Sequence, residues 1–288
     1  TRTQGGVFTT RITTPVGELH EERVFNPESY SYGIRRHLLQ SPEDFPVVEF
    51  LMARLTCRPR WELYRAWQAA LGELAYPYAQ LPYSGSGYLI SRNMGVQATL
   101  YAAHDEPAKV RRLVDAVNAC NLRILDAIID GPFETLLISD NYDSNVQTRE
   151  FFESYAREYY TEVARRLHGR GKTLAVHVDG ESRGALRRLA ECGVDCADAL
   201  TPSPMFALTP REMRAEAGPE LILSGGVPAT LFGSRGGEAE FVECVKRWLD
   251  TRRESPRLIL AAGDQVPTDA PFDRIAMLAE LAERFGGY

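Results

Sequence analysis

Apolar and polar positions alternate with a period of two near the start of the chain. There Val7-Phe8-Thr9-Thr10-Arg11-Ile12-Thr13-Thr14 is followed by Pro15-Val16-Gly17 and Glu18-Leu19-His20-Glu21-Glu22-Arg23-Val24. Alternating runs rich in β-branched residues around a Pro/Gly turn predict a β-hairpin over residues 1–25. From Ser41-Pro42-Glu43-Asp44 the texture becomes helical, with Ser41 placed as N-cap and Pro42 at the first helical position. A second helix is expected over 61–71, so residues 26–75 read as a helical segment.

Beyond residue 76 the period changes to that of buried helices and strands. The spacing of Val110, Leu113, Val114, Val117, Leu122, Leu125 and Ile128 predicts a helix over 106–129, and the apolar run 133–139 after it predicts a buried strand. The alternation repeats as helix 148–169, strand 173–178, helix 182–192, strand 195–200, helix 209–217, strand 221–223, helix 239–253, strand 258–261 and helix 271–285. One more strand is expected at 76–82 or 88–90. Strands separated by helices imply parallel βαβ units. The series exceeds one nucleotide-binding half-fold and approaches a TIM (β/α)8 barrel. The expectation is therefore an α/β protein whose residues 1–288 form one barrel domain, with an N-terminal hairpin excursion and the first strand or strands lying outside this sequence. An open doubly wound sheet is the rival, without its dinucleotide fingerprint.

Composition narrows the function classes. The 288 residues carry 33 Lys+Arg against 39 Asp+Glu, a formal charge of −6, which argues against a general affinity for nucleic acid or an anionic membrane surface. No apolar run reaches the roughly 18 residues of a membrane span. The five cysteines, Cys57, Cys120, Cys192, Cys196 and Cys244, are scattered and odd in number, which favours a reducing, cytoplasmic setting over a disulfide framework. Cys192 and Cys196 end a helix and open a strand, with no second pair at zinc spacing.

In a parallel barrel the active site lies at the C-terminal ends of the strands. Here those ends read Ser139-Asp140-Asn141, His177-Val178-Asp179-Gly180, Thr201-Pro202-Ser203-Pro204, Ser224-Gly225-Gly226-Val227-Pro228 and Gly263-Asp264-Gln265-Val266-Pro267. His177 and Asp179, two apart on an extended strand, share one side. Together with Asp140 and Asp264 they either bind a divalent cation or force a carboxyl pKa upward for proton transfer. Asp140 also fits a plain helix-capping role. Ser224-Gly225-Gly226 reads as a loop of bare amides for an anion, or as a tight turn. Tyr88 and Tyr142, expected in loops, are candidate pocket walls beside Asn141.

These motifs, with Ala190-Glu191-Cys192-Gly193-Val194-Asp195, Leu208-Thr209-Pro210 and Gly263-Asp264-Gln265-Val266-Pro267-Thr268-Asp269-Ala270-Pro271, resemble the uroporphyrinogen decarboxylase superfamily. The resemblance covers residue 15 to the C-terminus and implies a TIM barrel of one of two kinds. One is the cofactor-independent decarboxylases; the other is methyltransferases that serve small molecules, thiols and corrinoid proteins. In the methyltransferase branch a His-x-Cys and a last-strand Cys hold zinc; the matching positions here are His177, Asp179 and Asp264. Carboxylates in place of thiolates point to zinc or a harder cation, or to no metal. In the decarboxylase branch the last-strand position is His and an N-terminal Arg-rich loop binds the acidic side chains. Arg11, Arg92 and Arg149 are the cations available here.

The resemblance thus implies methyl transfer between a small substrate and a corrinoid or thiol partner. His177, Asp179 and Asp264 would hold the cation, while Asp140, Asn141, Tyr142, Tyr88 and the amides of Ser224, Gly225 and Gly226 would hold the substrate. Without a metal, His177 among carboxylates becomes a general acid, and decarboxylation of uroporphyrinogen or another polycarboxylate is the alternative. A non-catalytic ligand-binding barrel is the third reading. The hairpin is expected to shape the pocket or to pair with a second subunit as a homodimer.

Overall fold

In the computed structural model, which describes residues 2–4, 6–27, 30–233 and 236–287, the opening alternation forms an antiparallel sheet. Its strands are β1 (Arg2–Gln4), β2 (Val7–Thr14), β3 (Gly17–Asn26) and β4 (Ser31–Arg36), neighbours in that order. The β2–β3 hairpin turns at Pro15-Val16, bringing Thr14 opposite Gly17. Because side chains alternate, Phe8, Thr10 and Ile12 share a face with their partners Arg23, Glu21 and Leu19. The strand β4 corrects the helical reading of residues 26–75. Ser-Tyr-Gly-Ile-Arg-Arg has too little apolar content to show a period, and its extended form comes from pairing with β3.

The helices follow as expected from their caps and stripes. Asp44 accepts the backbone N–H groups of Gln40 (2.7 Å) and Ser41 (3.4 Å) and so fixes the turn that opens α1 (Phe45–Met52). After it come α2 (Trp61–Leu71) and β5 (Ala79–Leu81), then the short α3 (Gly85–Gly87), a π-helical turn at Tyr88–Asn93, α4 (Val96–Asp105) and α5 (Pro107–Ile128). Of the two places offered for an extra strand, 76–82 holds it and 88–90 is helical. The α5 stripe of Val110, Leu113, Val114 and Val117 is buried with Phe45 and Val48 of α1. Each such side chain contributes about 1.5–3 kcal/mol of apolar burial.

Strand β6 (Thr135–Tyr142) pairs with β5 in parallel, with Leu81 opposite Ile138. The long helix expected over 148–169 divides into α6 (Arg149–Tyr155) and α7 (Arg157–His168). Then β7 (Thr173–Val178), α8 (Ala185–Glu191), β8 (Cys196–Leu200), α9 (Pro210–Ala217), β9 (Ile222–Val227), α10 (Glu238–Asp250), β10 (Leu258–Ala262) and α11 (Phe272–Phe285) alternate to the end.

The chain divides into two compact units, Thr1–Asp140 with Ser154–Tyr159, and Asn141–Glu153 with Tyr160–Tyr288. The first holds the antiparallel sheet, α1–α5 and the parallel pair of β5 with β6. The second holds the parallel ladder of β7, β8, β9 and β10, each paired with the next. The class is thus α/β with parallel strands between helices. Among the described residues there are six parallel strands, as many as the pattern of this sequence predicts, and they form no closed ring. No described helix is long and apolar enough to cross a membrane.

Candidate active site

The site is built where β7, β8 and β9 run side by side. His177 of β7 and Asp198 of β8 are register partners, so their side chains leave neighbouring strands on the same face. The His177 Nδ1–H donates to Asp198 Oδ2 at 3.2 Å, and the Ser224 hydroxyl of β9 donates to Asp198 Oδ1 at 3.0 Å. A carboxylate only accepts, so this contact assigns the proton to Nδ1 of a neutral ring and leaves Nε2 to the opposite side. Directly after Asp198, Ala199 takes a left-handed conformation (φ 65°) and the β8–β9 register shifts between Ala197 and Leu200. A bulge of this kind re-aims side chains at a strand end.

Burial of the His177 ring works against its charged form. The hydrogen bond and charge of Asp198 outweigh it, aided by the charges of Asp179 and Asp264, so the imidazole pKa lies above its ordinary value. Asp198 is lowered: burial disfavours its charge, but the His177 hydrogen bond and charge, the Ser224 hydroxyl and the Ala199 amide favour it more. Asp179, whose N–H donates to the Tyr142 carbonyl (3.1 Å), is raised by desolvation and by the charges of Asp264 and Asp143, against the pull of His177. The Asp143 carboxylate lies against Gly180 (φ 133°), where a Cβ would come within 2.8 Å of the Asp143 Cβ.

His177, Asp179 and Asp264 therefore sit in one electrostatic neighbourhood. As a metal site they do not close. The Asp198 contact leaves Nε2 of His177 to a cation, but among the described residues no three His, Cys, Asp or Glu side chains converge on a common cation position.

The remaining candidates have other surroundings. Asp140, in the first unit, is fully buried; its Oδ1 accepts the Ser84 N–H at 2.7 Å and its carbonyl accepts the Ser91 hydroxyl at 2.8 Å. Gly87 is placed so that any side chain would strike the Asp140 carboxylate, so Asp140 pins the segment that opens α3. Tyr88 of the same unit packs on the apolar core of α1 and α5, and burial, with the charge of Glu21, pushes its hydroxyl up to about 12. Asn141 adopts a left-handed conformation (φ 48°), one of the few residue types that does so readily.

Tyr142 is fully buried, edge-on to Phe152 and hydrogen-bonded to the Gln147 carbonyl (3.3 Å) and to Arg188 (3.2 Å), as a core residue is. Ser224 belongs to the Asp198 network. Gly225 and Gly226 lie inside β9, paired with β10 through Leu260 and Ala261, rather than in a loop of free amides. Gly225 (φ 137°) abuts the Leu200 backbone and Gly226 (φ 105°) the Trp248 ring, which explains both glycines. All five cysteines are free; Cys192 is buried, and burial with the charges of Asp198 and Asp195 pushes the Cys196 thiol up to about 12.

Of the cations considered for an acidic substrate, Arg11 pairs with Glu18 (2.9 Å), Arg92 with Glu21 (2.8 Å), and Arg149 is exposed. Asp198 is the residue that strand-end reasoning passes over. Its signal is a charged side chain within a short apolar strand, on the same alternating face as Cys196.

Comparison with known proteins bears on this arrangement. The family model described as uroporphyrinogen decarboxylase (URO-D) matches residues 80–285. No curated protein matches the chain. Among solved structures, a methyltransferase from Methanosarcina mazei superposes with a TM-score of 0.66 at 12% identity, over 93% of this chain and 76% of that one. A Thermus thermophilus protein, TTHB071, soaked with ZnCl2, gives a TM-score of 0.40 at 13% identity over 83% of each chain.

Proposed function

The chain belongs to the uroporphyrinogen decarboxylase (URO-D) family, and on that premise we propose that it is an enzyme in which His177 acts as a general acid on a small carboxylated substrate, through chemistry that needs no bound cation. One observation carries the reading: an imidazole at strand ends, oriented by Asp198 at 3.2 Å and surrounded by carboxylates that favour its protonated form.

Decarboxylation is the reaction this donor suits. As the bond from carbon to the departing carboxylate breaks, its electron pair stays on that carbon, and the Nε2 proton of His177 forms the new C–H bond while CO2 leaves. Water then reprotonates the ring. Asp198 holds the imidazolium in place and balances its charge, and Ser224 fixes Asp198. A second reading is methyl transfer between a small molecule and a thiol or a corrinoid carried by a partner protein, supported by the fold shared with the M. mazei methyltransferase over 93% of this chain. There the same proton would neutralise the heteroatom that loses the methyl group.

The experiment is turnover of a panel of small carboxylates in D2O, with CO2 release and deuterium at the vacated carbon as readouts. Both are expected, and both fall by about 10²–10⁴-fold in His177→Ala. CO2 release unaffected by His177→Ala would sink the role of His177. Demethylation of a methylated corrinoid without any CO2 release would favour the second reading.

A further inference from the structure

The first unit contains a cleft of about 390 Å³ that the His177 chemistry does not use. It lies over the sheet face where Phe8, Thr10 and Ile12 of β2 stand opposite Arg23, Glu21 and Leu19 of β3; Tyr32, Leu38, Arg92 and Asn93 complete the wall. Small-molecule sites fall at about 300–1,000 Å³ and combine apolar walls with a few placed polar groups, as this one does.

Its charges do not balance. Glu21, only 6% exposed, accepts from Arg23 Nε (2.8 Å) and Nη2 (3.2 Å) and from Arg92 Nη1 (2.8 Å). Two guanidiniums against one carboxylate leave one positive charge in the cleft. The other titratable groups that feel Glu21 do not cancel it. Burial disfavours the charged form of His37 more than Glu21 favours it, and burial and the Glu21 charge keep the Tyr88 hydroxyl protonated. Arg92 reaches Glu21 through one of its three nitrogens, and its Nε and Nη2 meet no protein acceptor among the described residues. A partly exposed guanidinium edge without a counter-charge, set beside aromatic and aliphatic walls, matches a carboxylate carried on an apolar body.

We propose that this cleft is a binding site for a small monocarboxylate, its carboxylate on Arg92 and its apolar body against Phe8, Ile12 and Tyr32. Glu21, behind the guanidiniums, disfavours a second anionic group on the ligand. The site stands independently of the acid role of His177, and binding rather than turnover tests it.

The test is isothermal titration of the full chain with sodium benzoate and sodium isovalerate, with benzyl alcohol as the neutral counterpart. One saturable site for at least one carboxylate is expected, with no saturation by benzyl alcohol. Arg92→Gln, which brings the cleft to zero net charge, is expected to weaken the carboxylate by at least about tenfold. His177→Ala is expected to leave it unchanged. Tyr32→Ala, at a side chain 48% exposed and so replaceable without loss of the fold, reads the apolar half of the site should Arg92→Gln fail to fold. It is expected to weaken binding severalfold. The proposal is overturned by equal binding of benzyl alcohol, by carboxylate binding indifferent to both cleft variants, or by no saturation of the folded protein with either carboxylate.

Discussion

A carboxylate set opposite a histidine on the adjoining strand decides which ring nitrogen carries the proton and how firmly it is held. For His177 that carboxylate is Asp198, whose hydrogen bond and charge, together with the charges of Asp179 and Asp264, overcome the cost of burying the ring. A group that acts as an acid works while protonated, so activity is present below the folded-state pKa of His177 and lost as pH rises through it. In Asp198→Asn the supporting charge is gone. The alkaline limb of the kcat/KM profile is therefore expected to move to lower pH, with kcat reduced by about tenfold or more. The same sign governs stability. The pairing contributes fully below the unfolded histidine value of about 6.5 and fades as pH rises through the raised folded value. A limb that stays in place in Asp198→Asn would separate Asp198 from the acid. At this scale the sequence shows His177 and Asp179, because they follow an apolar run where a barrel keeps its chemistry. Asp198 stays hidden because it lies within Cys196-Ala197-Asp198-Ala199-Leu200 and reaches His177 only through strand register. Asp140 was readable as either a catalytic or a capping group, and its contact with the Ser84 N–H shows a structural task.

Elements were legible where one period dominated. The stripe of α5, the capped start of α9 after Thr209, and β7 within Thr173–Val178 all follow from residues close in sequence. Of β9 only the start, 221–223, did, because Ser224-Gly225-Gly226 carries no strand propensity and reads as a turn. What makes it a strand is distant in the chain: pairing with β8 and β10, and the Trp248 ring of α10, whose Nε1–H donates to the Ile259 carbonyl at 3.0 Å. Trp248 is completely buried, and the indole occupies the space that a Cβ on Gly226 would need. Gly226→Ala must displace that indole and also hold a positive φ. It is expected to destabilise the fold by about 2–4 kcal/mol, read from urea unfolding with an unchanged m-value. A loss below about 0.5 kcal/mol would mean that the indole yields freely, and that packing is not the reason for glycine here.

For the whole molecule, the order of helices and parallel strands is written locally and was readable, whereas closure of a barrel depends on pairings between strands far apart in sequence, which no local period encodes. The same distinction applies to metal binding. The sequence offers 39 Asp+Glu, five His and five Cys, and the family resemblance marks His177, Asp179 and Asp264 among them. Ligands must nevertheless converge: structural zinc takes four donors at about 2.0–2.3 Å, with soft thiolate or imidazole preferred. Here the imidazole has only Nε2 to offer, the half-buried thiol near the site, Cys196, is held protonated, and no described trio of donors meets. Protein from zinc-supplemented culture, desalted and assayed by inductively coupled plasma mass spectrometry, is therefore expected to carry well under one equivalent of zinc, and its turnover to survive a strong chelator. Near-stoichiometric metal, lost on Asp264→Ala, would mean that these carboxylates close around a cation when one is present. In that event the proton on His177 would be secondary, and a Lewis-acid route to methyl transfer would replace proton donation as the reading of this site.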